Sequence, residues 1–244
     1  TSEKDGWKHI YHYSDKGELI NQVTYGNWEV TKYYGYSPKT KRIFYQSTEL
    51  GSVNRGVYSI KLNGKSKVGL STDQGTNSAN FNADFSYYIN TFNSIGTPKT
   101  FTLHDAKDGK LIRKIKDNSA LSEKLKDYDL PLKELSTINI NGIDLNMWMM
   151  KPTDFDPSKK YPLLMYQYSG PGSQEVSNSF AGINDFWYKM LAQEGYIIAC
   201  VDGRGTGFKG RDFKKVTQLE LGKYELEDQV AAAKKLGMES YIDA

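Results

Sequence analysis

A chain of 244 residues, 38% hydrophobic and with 18 tyrosines and 10 phenylalanines, can bury a real core and lies outside the compositional class of disordered proteins. Its 32 Lys and Arg interleave with 29 Asp and Glu for a net charge of +3, which excludes the clustered basic footprint of a nucleic-acid-binding protein. The lone Cys200 excludes an internal disulfide framework, and no run approaches the roughly 20 apolar residues that span a bilayer.

No charged and apolar leader opens the chain. Thr1-Ser2-Glu3-Lys4-Asp5-Gly6-Trp7 begins in the manner of a chain interior, and both ends read as cuts, so the sequence is expected to be a piece of something longer.

Up to about residue 120 the pattern is short β runs punctuated by turns. Ile10 to Tyr13 and Leu19 to Thr24 flank Asp15-Lys16-Gly17; Val57 to Ile60 and Lys67 to Leu70 flank Asn63-Gly64; Thr100 to Leu103 and Leu111 to Ile115 flank Asp108-Gly109. Each reads as a hairpin of aromatic and β-branched strands around residues that tolerate positive φ. The hairpins recur at about 45 residues, with Tyr34 to Ser37, Ile43 to Tyr45, Phe85-Ser86 and Tyr87 to Ile89 as the segments between them. Four strands at that period is the signature of propeller blades, of which about two and a half are present. A β-sandwich or an irregular antiparallel sheet is the competing pattern.

The charged stretch from Asp117 to Asp129 separates this half from a different rhythm. Ser136 to Ile140 and Leu145 to Met150 form a hairpin around Asn141-Gly142, and Tyr161 to Tyr168 is a continuous strand. Phe186 to Glu194 has helical spacing and stops at Gly195, and Tyr196 to Val201 is a buried strand. Leu221 to Leu236 is a second helix, with Tyr224, Leu226, Val230, Ala233 and Leu236 as its expected buried stripe. Antiparallel strands followed by strand–helix–strand–helix predict a sheet of mixed direction. The expected organisation is a β-propeller part over 1–120, a linker over 121–132 and an α/β part over 133–244.

Serine hydrolysis on such a sheet needs a nucleophile, a histidine base, an orienting acid and oxyanion donors. The elbow G-x-S-x-G occurs nowhere, and the only histidines, His9, His12 and His104, fall in the β half, so these residues assemble no triad. Hydrogen-bonded strand histidines explain them better than metal ligands do, and no carboxylate–histidine spacing suggests zinc. Asp202-Gly203-Arg204-Gly205-Thr206-Gly207 follows a strand but lacks both the P-loop Lys-Ser/Thr and the dinucleotide spacing, and reads as a tight structural loop. No cofactor is expected.

The stretch Tyr166 to Gln174 is more informative. A strand delivers Tyr168 to its C-terminal end, where ligand sites of α/β sheets lie, and Gly170-Pro171-Gly172 then breaks the chain. Two readings of Tyr168 stand side by side: a ring packed beneath the turn, or a phenol that donates to a developing oxyanion.

Several motifs, in order, resemble the dipeptidyl peptidase IV branch of the prolyl oligopeptidase family. Ser2 to Tyr11 resembles a motif of its propeller, Lys160 to Leu164 with Tyr168-Ser169-Gly170-Pro171 its hydrolase strand and oxyanion turn, Val201 to Gly207 its Asp-Gly-Arg-Gly loop, and Leu221 to Gln229 the helix before its nucleophile strand. Gly172 stands where animal members often place a cysteine, which points to a bacterial-type member.

The resemblance implies a β-propeller followed by an α/β-hydrolase domain, here a partial propeller and the N-terminal part of the hydrolase. The implied activity is serine exopeptidase release of N-terminal dipeptides, Xaa-Pro or Xaa-Ala, from peptide substrates. Tyr168 then corresponds to the oxyanion donor, and Gln174 to a residue lining the site on the leaving-group side. The catalytic serine, aspartate and histidine are expected beyond Ala244 and the glutamates that hold the substrate amino group before Thr1, so the chain alone is expected to be inactive. Related tripeptidyl, acyl-peptide or endopeptidase activity, and a non-catalytic structural or binding role, are the alternatives. Homodimerisation and a periplasmic, secreted or membrane-anchored location are implied for the whole enzyme, although no membrane segment lies in this sequence.

Overall fold

A computed structural model describes residues 1–243, which form two compact units: Thr1–Asn118 with Phe208–Arg211, and Ser119–Gly207 with the residues from Asp212 on.

The first unit is built from ten strands: β1 (Tyr11–Tyr13), β2 (Leu19–Gln22), β3 (Val30–Ser37), β4 (Arg42–Ser47), β5 (Gly56–Lys61), β6 (Val68–Ser71), β7 (Thr76–Phe81), β8 (Tyr87–Ser94), β9 (Thr97–Asp105) and β10 (Leu111–Lys116). β1 and β2 pair alone, and β3-β4-β5-β6 and β7-β8-β9-β10 are two four-stranded antiparallel meanders, the strand content expected of a partial propeller. The alternation of side chains along β4 serves two cores at once. Ile43 and Tyr45 pack with Ile10, Val23, Val30, Tyr58 and Ile60, while Phe44 points the other way to Val57, Leu70, Ala79 and Tyr88. Tyr88 also bridges the two meanders by polar contact, its hydroxyl donating to the Leu70 carbonyl at 2.7 Å.

One segment differs from expectation. The partner of β8 is not Phe85-Ser86 but the earlier Thr76–Phe81, with Phe85 in the connecting turn at φ 57°. Asn77, buried within β7, donates to the carbonyls of Arg55 and Asp73 at 2.9 and 2.8 Å. Side-chain hydrogen bonding thus holds a strand whose Thr-Asn-Ser-Ala-Asn sequence carries no strong β pattern.

The second unit runs α1 (Ser119–Leu125), β11 (Lys133–Ile140), β12 (Ile143–Met150), β13 (Tyr161–Tyr166), α2 (Ile183–Gln193), β14 (Ile197–Asp202), α3 (Arg211–Lys215, whose first residue belongs to the first unit), α4 (Lys223–Leu236) and β15 (Ile242–Asp243). α1, which buries none of its side chains, begins two residues before the stretch 121–132 read as a linker and runs into it. The sheet order is β11-β12-β14-β13-β15; β11, β12 and β14 pair antiparallel, whereas β13 runs parallel to both β14 and β15. Asn141 and Gly142 both take positive φ, 51° and 83°, as a two-residue hairpin of this twist requires.

Alternation again sorts the cores. Leu145, Met147, Met149, Ile197, Ala199 and Val201 face Ala232 and Leu236 of α4, while Trp148 and Cys200 lie on the opposite face with α2. The buried stripe of α4 is Asp228, Ala232 and Leu236, at i, i+4 and i+8. Leu226, Val230 and Ala233, expected on that stripe, are exposed, because the rotation of the helix is set by the buried carboxylate of Asp228. No described helix is long and apolar enough to cross a membrane.

Candidate functional site

Because β13 and β14 are parallel and paired from Leu163↔Ile197 to Tyr166↔Cys200, both strands end at the same edge of the sheet. The segments that leave them, 167–176 and 203–207, are therefore brought side by side at the edge where such sheets place their ligands. β13 ends at Tyr166, so Tyr168 lies two residues past the strand, at the entrance of the Gly-Pro-Gly turn.

At Tyr168 the ring and the hydroxyl have different surroundings. Its ring lies over Gly170, where a Cβ would stand 3.1 Å from the phenol carbon and oxygen atoms. The side chain is nonetheless exposed, and its hydroxyl meets no hydrogen-bonding partner among the described residues. An O–H donor held at the sheet edge and left unengaged is what stabilisation of an external oxyanion requires.

The turn is fastened to the loop after β14. Asp202, the last residue of β14 and buried, accepts the backbone N–H of Glu175 on Oδ1 and that of Val176 on Oδ2, each at 3.0 Å. The Gly172 N–H donates to the Gly205 carbonyl and the Gly207 N–H to the Ser173 carbonyl, both at 2.8 Å. Within the turn, Ser173 donates from its N–H to the Gly170 carbonyl at 2.9 Å and from its hydroxyl to the Tyr168 carbonyl at 3.2 Å. Gly207 permits this approach, since a Cβ there would stand 2.8 Å from the Gly172 carbonyl oxygen. The loop is fixed in turn by Arg204, paired with Asp228 of α4, and by the Thr206 hydroxyl, which donates to the Gly203 carbonyl at 2.8 Å. Its reading as a structural loop holds.

Gln174 and Tyr168 share this turn but not a cavity. Gln174 lines a cleft of roughly 420 Å³ together with Lys133, Trp148, Tyr166, Glu175 and Tyr188, to whose wall Tyr168 does not contribute. The rings of Tyr166 and Trp148 stand 5.5 Å from that of Tyr188. Burial, followed by the Glu175 charge and a hydrogen bond to it, raises Tyr166 above the ordinary phenol range. Burial and the neighbouring Tyr166 push Tyr188 up to about 12. Both are therefore protonated donors at neutral pH. Burial likewise pushes up the Cys200 thiol, which leaves it protonated and unreactive. At the far wall Lys133 pairs with Asp185 in the first turn of α2, both side chains nearly buried, and lies 4.5 Å above the Trp148 ring.

The histidines are structural. His9 is fully buried, with Nδ1 at 3.1 Å from the Thr24 hydroxyl, Nε2 at 2.9 Å from the Gly26 carbonyl, and Trp28 packed edge-on against its ring. His104 uses both nitrogens at 2.8 Å, on the Gly109 carbonyl and the Thr102 hydroxyl. His12 approaches Asn21 at 3.4 Å.

Sequence reasoning missed the role of Asp202 and the Lys133–Asp185 pair. A signal existed for the first: a carboxylate closing a strand of otherwise buried apolar residues needs donors, and the nearest are backbone N–H groups of the adjoining segment. None existed for the second, whose partners lie far apart in the chain and meet only through α2.

Comparison with known proteins bears on the whole chain. The family model described as "Dipeptidyl peptidase IV (DPP IV) N-terminal region" matches residues 1–99, and that of the "Prolyl oligopeptidase family" matches 184–244. The chain is 38% identical to a probable dipeptidyl-aminopeptidase B of Pyrenophora teres f. teres, over 98% of this chain and 27% of that protein. It is also 38% identical to a dipeptidyl peptidase 4 of Arthroderma otae, over 99% of this chain and 32% of that one. Among solved structures, dipeptidyl peptidase 4 of Porphyromonas gingivalis superposes with a TM-score of 0.94 at 45% identity, covering 100% of this chain and 34% of that one. A putative dipeptidyl aminopeptidase IV of Bacteroides ovatus gives 0.85 at 27% identity, over 99% and 37%. The chain spans about a quarter to a third of the length of the curated relatives it matches.

Proposed function

Because the chain belongs to the dipeptidyl peptidase IV branch of the prolyl oligopeptidase family, we propose that it is part of a serine exopeptidase that releases N-terminal dipeptides, Xaa-Pro or Xaa-Ala, from peptides. Its first unit supplies blades of the propeller and its second the N-terminal part of the peptidase domain. The triad comes from residues outside this sequence, which has no G-x-S-x-G and whose three histidine rings serve hydrogen bonds within the β unit.

In this reading a serine hydroxyl attacks the carbonyl of the second residue of the substrate, and a histidine takes its proton. Negative charge then develops on the carbonyl oxygen, and the Tyr168 hydroxyl donates to it. As the tetrahedral species collapses, the histidine proton passes to the leaving amine and the dipeptide remains as an ester. Water repeats the sequence and frees the dipeptide. Gln174, on the wall of the neighbouring cleft rather than beside Tyr168, is assigned to the leaving-group side in the same proposal. Homodimerisation and a location in the periplasm, at the cell surface or outside the cell belong to the same proposal.

The observation that supports it most is the placement of Tyr168, unengaged at the C-terminal edge of β13 on a fastened turn. Hydrolysis of Gly-Pro-p-nitroanilide by the whole protein, abolished by N-acetylation of the substrate and by a dipeptidyl phosphonate, is the expected result. Cleavage of the acetylated substrate, or of a tripeptidyl anilide in preference, would overturn it.

A further inference from the structure

On the reading of Tyr168 as oxyanion donor, we propose that Asp202 is its positioning residue, fixing where the phenol stands by clamping the far end of the turn that carries it.

The turn has two ends. At one, Tyr166 is held by the β13–β14 ladder. At the other, nothing in regular secondary structure holds 175–176; they are held by the fork of Asp202, one oxygen to each of two consecutive N–H groups. A carboxylate accepting two adjacent amides fixes both the position and the rotation of the segment, and such charge-assisted bonds are about twice as strong as neutral ones. Val176, fully buried, seats the same point by packing. From there the restraint passes back through Ser173, whose N–H and hydroxyl bind the Gly170 and Tyr168 carbonyls, to the residue that bears the phenol. The carboxylate faces the backbone of the turn, so it acts on the reaction through Tyr168 and touches no reacting atom. The demand on it is geometric: a displacement of about 1 Å in such a donor costs on the order of 10²-fold in rate.

The test is a double-mutant cycle in the full-length enzyme on Gly-Pro-p-nitroanilide, with thermal melts to establish folding. Asp202→Asn keeps the shape but turns an amide N–H₂ toward a backbone N–H. It is expected to lower kcat by about 10- to 100-fold with KM within about threefold. In a Tyr168→Phe background the same change is expected to lower kcat by less than about threefold more, because the donor it positions is gone. Asp202→Glu, which keeps the charge and displaces the oxygens by one methylene, is read the same way if Asp202→Asn does not fold. Wild-type kcat in Tyr168→Phe alone overturns the donor assignment and this proposal with it. A full loss in Tyr168→Phe beside wild-type kcat in the Asp202 variant, or effects that multiply in the double mutant, overturns the positioning role alone.

Discussion

Arg204 and Asp228 form a forked ion pair: Nη2 reaches Oδ1 at 2.7 Å, Nε lies 3.0 Å from both oxygens, and the Arg204 backbone N–H reaches Oδ2 at 2.7 Å. One buried carboxylate thus ties α4 to the loop that fastens the Tyr168 turn. Asp228→Ala removes this fork but leaves Arg204, partly exposed, its second ion pair with Glu227 at 3.1 Å, so it is expected to cost about 2–3 kcal/mol. Arg204→Lys, which keeps the charge but loses the fork, is expected to cost less. Urea midpoints of the two variants measure both, and an unshifted midpoint for Asp228→Ala would contradict the account.

Two glycines mark close approaches rather than free loop. A methyl group at Gly170 meets the Tyr168 ring at 3.1 Å, and the ring is free to move because it is exposed. Gly170→Ala is therefore expected to lower kcat by about 10-fold or more while the melting temperature stays within a few degrees. At Gly207 the obstacle is the Gly172 carbonyl, backbone rather than side chain, at 2.8 Å. Gly207→Ala is expected to lower both activity and melting temperature. Equal melting temperatures for the two variants would show that the loop yields more readily than its hydrogen bonds imply.

His9 is predicted to matter for folding and not for chemistry. Its ring fills a buried site and bonds through both nitrogens. His9→Ala leaves the Thr24 hydroxyl and the Gly26 carbonyl short of a partner and opens a cavity beside Trp28, at about 2–4 kcal/mol. Denaturation should show that loss with kcat per folded molecule unchanged.

Tyr188 should titrate late. Its folded value, about 12, lies above the ordinary 10, so the fold favours the protonated phenol. Its contribution to stability is whole below pH 10 and is lost as pH rises through about 12. The difference in 295 nm absorbance between wild type and Tyr188→Phe is expected to report one phenolate appearing near pH 12. Its appearance near pH 10 would show that the ring is solvated.

Much of this was legible in the sequence because local chemistry and fold agree. Asn141-Gly142 encodes its hairpin, the apolar run before Asp202 encodes a strand buried on both faces, and the blade repeat survives as a period of turns. The failures have a common cause. β7 is held by Asn side chains whose acceptors lie in other strands, and α4 is rotated by a carboxylate that meets Arg204 from another segment. Hydrophobic periodicity carries no trace of either. For the same reason Tyr168 could be singled out by its place after a strand, whereas the group that holds its turn, Asp202, emerged only with the parallel pairing of β13 and β14.

The central claim is that Tyr168 donates to the oxyanion, and kcat of Tyr168→Phe in the full-length enzyme on Gly-Pro-p-nitroanilide tests it most directly. The ring is 59% exposed and its hydroxyl is unengaged, so the variant should fold and melt as the wild type does. The account predicts a loss of about 10²- to 10³-fold in kcat with little change in KM; turnover at the wild-type rate would contradict it.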